Sequence, residues 1–168
     1  MSRLDSFIRR LKAQRACLDL AARLIAELDG DVLELGLGNG RTYDHLRQLF
    51  PERKIYVCER RLAPHPDCIP PAAFLLLGDM RDTLRTAGEL LGSRVALAHL
   101  DPATGDVAGS RALVAELAPL IVALLRLGGL LVSEPAIAWD GLSPMALPEG
   151  VAPGRYHLYR RVSCQSKA

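Results

Sequence analysis

No Gly-Lys-Ser/Thr triplet occurs in the sequence, which removes the phosphate-gripping Walker loop. The dinucleotide fingerprint G-x-G-x-x-G is absent as well, because Arg41 stands where its last glycine belongs. The four cysteines, Cys17, Cys58, Cys68 and Cys164, show no C-x-x-C spacing, and scattered thiols of this kind are ordinarily buried or inert. No apolar signal core follows the start MSRLDSFIRR, and no apolar run is long enough to span a bilayer. A cytoplasmic protein with no membrane partner is the expectation. The net charge of +2 is too small to argue for a nucleic-acid partner. The basic residues are nearly all arginine, a coding bias and not a binding signal. Internal repeats and low-complexity segments are absent.

What remains is an ordinary globular composition, 49% apolar and 24% charged, in 168 residues. That length predicts a single domain over 1–168, with an N-terminal helix in 1–29 and an α/β core in 30–168. Residues 3–28 read as one amphipathic helix. Ser2 and Asp5 form its capping box, Leu4, Phe7, Ile8, Leu11, Leu18, Ala21, Leu24, Ile25 and Leu28 form its stripe, and Gly30 ends it. Arg9, Arg10, Lys12 and Arg15 read as a solvated basic face.

The chain is organised around DVLELGLGNGRT, residues 31–42. Val32, Leu33 and Leu35 fit a buried parallel strand, and Gly36, Gly38 and Gly40 follow at spacings of two before a helical pattern. A strand feeding a glycine turn into a helix start lets backbone approach a ligand and presents free N–H groups. The helix from Arg41 stops at Pro51, with Tyr43, Leu46 and Phe50 as apolar contacts. KIYVCE, residues 54–59, is a second strand ending in Glu59, about twenty residues past the turn, where Rossmann-like folds place a ribose-binding acid.

Residues 60–72 hold Pro64, Pro66, Pro70 and Pro71, and read as a rigid loop with at most a helical turn; His65 belongs to that surface. A third strand, residues 74–77, runs into Gly78, Asp79 and Met80, and residues 82–91 form a helix closed by Gly92. Residues 94–100 are a fourth strand, off whose end His99 and Asp101 project on one face. Residues 111–127 read as an apolar helix broken by Gly128-Gly129, and 130–133 as a fifth strand running into Glu134. YHLYRRV, residues 156–162, alternates as a late, antiparallel strand, with His157 placed at an edge. The short segment before it, with Trp139 and the prolines at 144, 148 and 153, weighs against a full seven-stranded sheet. The fold class is α/β, a Rossmann-like doubly wound sheet, mostly parallel.

Glu34 two residues ahead of G-x-G-x-G, Glu59 and Asp79 place three acids at successive strand ends. In this the chain resembles class I S-adenosylmethionine (SAM)-dependent methyltransferases over roughly residues 28–162. LGLGNGRTYDHLR and GRYHLYRR resemble more specifically a small bacterial methyltransferase family. The resemblance implies SAM as cofactor and S-adenosylhomocysteine (SAH) as product. It implies a cofactor set of Glu34, Gly36, Leu37, Gly38, Asn39, Gly40, Arg41, Thr42, Glu59, Arg60, Gly78, Asp79, Met80 and Asp101. In the family the turn wraps the methionine part, the acid after the third strand accepts the adenine amino group, and the next backbone serves a ring nitrogen. SAM has no phosphates. A carboxylate near the turn, such as Glu34, can receive its amino group, and turn N–H groups its carboxylate.

Asp101 lies where a methyl acceptor would sit. Asp101-Pro102 distantly resembles the Asp-Pro-Pro-Tyr motif of amino-group methyltransferases, from which Ala103 and Thr104 depart. Asp101 is the first candidate base, followed by His99 and Glu134, and Tyr43 is a candidate substrate-orienting residue. No metal is expected; a minority alternative is a catechol-type carboxylate cluster of Asp101 with Asp106 or Glu134. The expected acceptor is a small molecule. The expected assembly is a homo-oligomer, dimer or tetramer, built through the N-terminal helix or the late strand. Two rivals stand against this: a non-catalytic SAM-binding protein, and a nicotinamide-linked oxidoreductase, which Arg41 and Glu34 disfavour.

Overall fold

The computed structural model describes residues 2–101 and 107–163. Asp106 and Cys164 lie outside the described residues, as do Pro102, Ala103 and Thr104. Seven strands form one sheet: β1 Asp31–Leu35, β2 Ile55–Glu59, β3 Leu75–Leu77, β4 Val95–Leu100, β5 Leu125–Ser133, β6 Leu142–Pro144 and β7 His157–Arg161, in the order β3-β2-β1-β4-β5-β7-β6. The pairs from β3 through β5 are parallel, and β7 runs antiparallel to both β5 and β6. The expectation of an incomplete late sheet is therefore corrected. β6 needs only three residues, and Pro144, which cannot donate to a ladder, is tolerated because β6 is an edge. His157 belongs to an interior strand, not an edge, and stacks at 6.2 Å on Tyr159.

Among the described residues four α-helices cover the sheet: α1 Arg3–Leu24, α2 Arg41–Leu49, α3 Met80–Leu91 and α4 Val107–Leu124. Ala13, Cys17, Leu18 and Ala21 of α1 share one core with Tyr43 and Leu46 of α2. Leu84, Ala87 and Leu91 of α3 share the opposite core with Val114, Leu117 and Ile121 of α4. Helices on both faces of a mostly parallel sheet are the doubly wound arrangement, and both faces of β4 are fully buried. Cys17, Cys58 and Cys68 are buried free thiols; burial pushes the first two up to about 11.

Several element boundaries differ from the sequence reading, and those at the end of α1 and between α4 and β5 have a visible cause. α1 has the predicted Ser2–Asp5 capping box but ends at Leu24, short of Gly30. Arg53 supplies the reason: its guanidinium donates to the Ile25, Leu28 and Gly30 carbonyls at 2.7–3.1 Å, holding the chain in a turn that leaves the helix. α4 ends at Leu124 and β5 starts at once, so Gly128-Gly129 lies inside the strand and does not terminate a helix. The β4–β5 register shifts there, and a Cβ on Gly129 would meet the Val95 carbonyl at 3.0 Å. The glycines allow a bulge, as extra strand residues commonly require. β2 and β3 are joined by 3-10 turns at Pro66–Cys68 and Ala72–Phe74, one more turn than the sequence reading allowed, and the second takes Phe74 out of the strand.

Candidate active site

A cleft of about 510 Å³ opens beyond the carboxyl ends of β1, β2 and β4, with α1 along one wall. This is where open α/β sheets place ligands. Gly36, Gly38 and Gly40 all take left-handed backbone between β1 and α2. Gly40 is the tightest of them: a Cβ would lie 2.3 Å from the Cys68 Cβ, which locks the turn against the proline loop.

Glu59 at the tip of β2 turns its carboxylate onto this turn. Oε2 accepts from the Leu37 and Gly38 N–H groups at 2.6 and 3.1 Å, and Oε1 from the Arg61 N–H at 3.0 Å. Burial opposes the charge, but these backbone donors outweigh it and hold the carboxyl below its ordinary range. The turn's N–H groups are thus largely spoken for: Gly36 donates to the Cys58 carbonyl at 2.9 Å, and Leu37 and Gly38 serve Glu59. Asp79 caps α3, accepting from the Arg81 N–H at 2.9 Å, with the Arg81 guanidinium at 3.5 Å. Those contacts keep its carboxyl low.

Asp101, just past β4, has its Oδ2 held by two residues of α1: Arg10 Nη1 donates at 2.7 Å and Gln14 Nε2 at 2.8 Å. Beneath it lies a buried polar chain. The parallel register sets Glu34 of β1 beside His99 of β4, both turned under α1. Glu34 Oε2 and His99 Nδ1 are 2.7 Å apart, His99 Nε2 and the Tyr156 hydroxyl 2.8 Å, and Gln14 Nε2 donates to that hydroxyl at 2.9 Å. His99 is 0% exposed and Glu34 1%. Burial works against the His99 cation, but the Glu34 charge and hydrogen bond, with Asp101, overcome it and push His99 up. Burial pushes the Glu34 carboxyl up as well. Two proton arrangements satisfy every donor. Either Tyr156 donates to a neutral His99, or an imidazolium donates to Tyr156, whose hydroxyl then turns to Asp101, 3.5 Å away.

Of the predicted cofactor residues, the cleft brings together Gly36, Leu37, Gly38, Asn39, Arg41, Thr42, Glu59, Arg60, Asp79, Met80 and Asp101. Gly40 and Gly78 shape backbone behind the lining, and Glu34 lies under His99, out of reach of the cleft. His99 likewise acts only through its neighbours. Tyr43 is 4% exposed in the α2 core, with Arg47 5.2 Å above its ring, so the structure sets it away from the cleft. Glu134 is half-buried near Asp101, Arg10 and Arg155; burial and the Asp101 charge raise it. Among the described residues no group of three or more His, Cys, Asp or Glu side chains is placed to hold a metal.

The basic face expected on α1 is corrected. Arg10 enters the site, and Phe7, Leu11 and Gln14 line the cleft with it. The signal was present: Arg3, Phe7, Arg10 and Gln14 recur at i, i+4, i+7 and i+11, one helical face, which Arg9, Lys12 and Arg15 do not share. Tyr156 had no such signal, since only the antiparallel return of β7 brings it under β4.

The donor set suits a cationic, phosphate-free nucleoside. Carboxylates stand at the β2, β3 and β4 ends, and among the described residues the basic lining is Arg10, Arg41 and Arg60, the first already paired with Asp101. Comparisons agree. A family model described as S-adenosyl-L-methionine methyltransferase matches residues 1–161. A crystal structure of an S-adenosyl-L-methionine methyltransferase from Silicibacter pomeroyi is similar over 96% of this chain and 99% of its own, at 46% identity and TM-score 0.92. Human methyltransferase-like protein 13 in complex with SAH is similar in fold, at 16% identity and TM-score 0.55 over 94% of this chain and 83% of that one. No curated protein matches in sequence.

Proposed function

Since the chain belongs to the S-adenosyl-L-methionine methyltransferase family, we propose that its acceptor is a small molecule seated beside Asp101 in the cleft that α1 walls. The cofactor supplies a methyl group on a sulfonium, and alignment with exclusion of water is left to the protein. Glu59 and Asp79 suit the ribose and adenine ends, as rim carboxylates with lone pairs to spare. Asp101 takes the proton that the acceptor's N–H or O–H loses as its bond to the methyl carbon forms and the carbon–sulfur bond breaks. Gln14 and Arg10 fix the reactive oxygen. His99 and Tyr156 act as positioning residues beneath it.

One observation supports a small acceptor: α1 lies across the Asp101 end of the cleft and is tied to it at 2.7 and 2.8 Å. A folded macromolecule would have to displace that helix. The test supplies methyl-labelled SAM and a cell extract, then separates small metabolites from macromolecules by filtration. Label passing the filter, and lost with Asp101→Asn, supports the proposal; label retained on macromolecules contradicts it. The alternative, SAM binding without transfer, draws on the same ion pair, because Arg10 already neutralises Asp101. It predicts SAH binding with no label in either fraction.

Self-association belongs to this proposal. The edge strand β6 carries Pro144, which discourages edge-to-edge pairing, whereas Leu4 and Ile8 of α1 are 65% and 40% exposed. A dimer through α1 is the arrangement these residues support.

A further inference from the structure

Beside the cofactor cleft, and sharing Phe7 and Arg10 with it, lies a second depression of about 250 Å³ formed by Arg3, Ser6, Phe7, Arg10 and Arg155. Three guanidiniums converge there and no carboxylate lines it. Arg10 is tied on one side to Asp101, and its guanidinium lies 5.5 Å over the Phe7 ring, which holds it in place. Among the described residues the guanidiniums of Arg3 and Arg155 make no hydrogen bond or ion pair, although Arg155 lies near enough to Glu134 to lower its pKa. The paired surface arginines provide the contrast: Arg47, Arg81 and Arg85 each hold an acid. Arg3 and Ser6 stand in the first turns of α1, where the helix end adds positive potential. Arg3 and Arg155 add like charge beside an Arg10 whose only ion-pair partner among the described residues, Asp101, lies on its cleft side, and an oxyanion with several acceptor oxygens relieves that repulsion and matches the guanidinium forks.

We propose that Arg3, Arg10 and Arg155 form an oxyanion subsite, so that the methyl acceptor is a small acid bearing a carboxylate or phosphate. This rests on the acceptor position argued above. Arg10 bridges the two depressions, so an acid held on its outer side directs the rest of the molecule towards Asp101. The nucleophile is then an N–H or O–H a few bonds from the anionic group. A neutral acceptor of the same shape leaves Arg3 and Arg155 without an anion and binds more weakly.

The test titrates inorganic phosphate and benzoate, each against chloride at matched ionic strength, into SAH-saturated protein. The readout is the side-chain Nε–H NMR signals of arginine. Saturable shifts at Arg3, Arg10 and Arg155 are expected in the wild type, and in Arg3→Gln/Arg155→Gln the shift that remains readable, at Arg10, should need about tenfold or more anion. Arg155→Lys, which keeps the charge but loses the fork, falls between. The double variant's SAH affinity, read by calorimetry, stays within a factor of about two, because neither side chain lines the cofactor cleft. Absence of saturable shifts in the wild type overturns the proposal. So does a parallel loss of SAH affinity in the double variant, which would assign the arginines to the cofactor's own carboxylate. Failure of the wild type to bind SAH at all would sink the functional reading, while the same phosphate titration without SAH would still decide the subsite.

Discussion

Glu59 carries two backbone N–H groups of the glycine turn on one oxygen, and among the described residues no other side chain reaches them. Glu59→Gln keeps the shape but loses the charge, and should weaken SAH binding roughly 10- to 100-fold by calorimetry, the scale of one or two charge-assisted hydrogen bonds. The buried pair Glu34–His99 makes a different prediction. His99 is raised above its unfolded value, so the folded state binds the extra proton more tightly. That contribution is full below about pH 6.5 and fades as pH rises through the folded value. Melting temperature should therefore fall as pH rises above about 6.5, and His99→Asn should flatten that slope relative to wild type. His157, lowered by burial, acts in the opposite sense and below this window. The residue-level reading placed Glu59, Asp79 and Asp101 at the cleft, because strand-end acids follow from spacing alone. It set Glu34 in the cofactor's reach, which the structure does not, since which face a central-strand residue takes depends on register with its neighbour.

At the scale of elements, glycines and prolines carried most of the information, and three glycines misled. Gly30 and Gly128-Gly129 read as helix ends, yet Arg53 ends α1 and a β-bulge absorbs the pair. Neither outcome is local: one needs the Arg53 side chain from the turn between α2 and β2, the other the neighbouring strand β4. Gly40, by contrast, is fixed by what surrounds it. Gly40→Ala forces a left-handed alanine and a 2.3 Å clash with Cys68, so unfolding in urea should show a loss of about 2–4 kcal/mol. Gly38→Ala meets nothing within 4 Å and should cost less, about 1–2 kcal/mol from backbone strain.

For the molecule as a whole, alternation of strands and helices made the doubly wound sheet legible, while the α1 clasp over Asp101 was not. An amphipathic helix announces that it packs, not where. If the exposed Leu4 and Ile8 join two copies, light scattering of the wild type should give a dimer, and Leu4→Glu/Ile8→Glu a monomer with SAH affinity retained; a monomeric wild type rules this assembly out. The claim beneath all of this is that carboxylates at successive strand ends cup the cofactor. A crystal structure of the SAH complex tests it most directly. The expected map sets the ribose hydroxyls on Glu59, the adenine amino group on Asp79 and the sulfur towards Asp101. A map with SAH bound and with Glu59 and Asp79 touching neither sugar nor purine contradicts it.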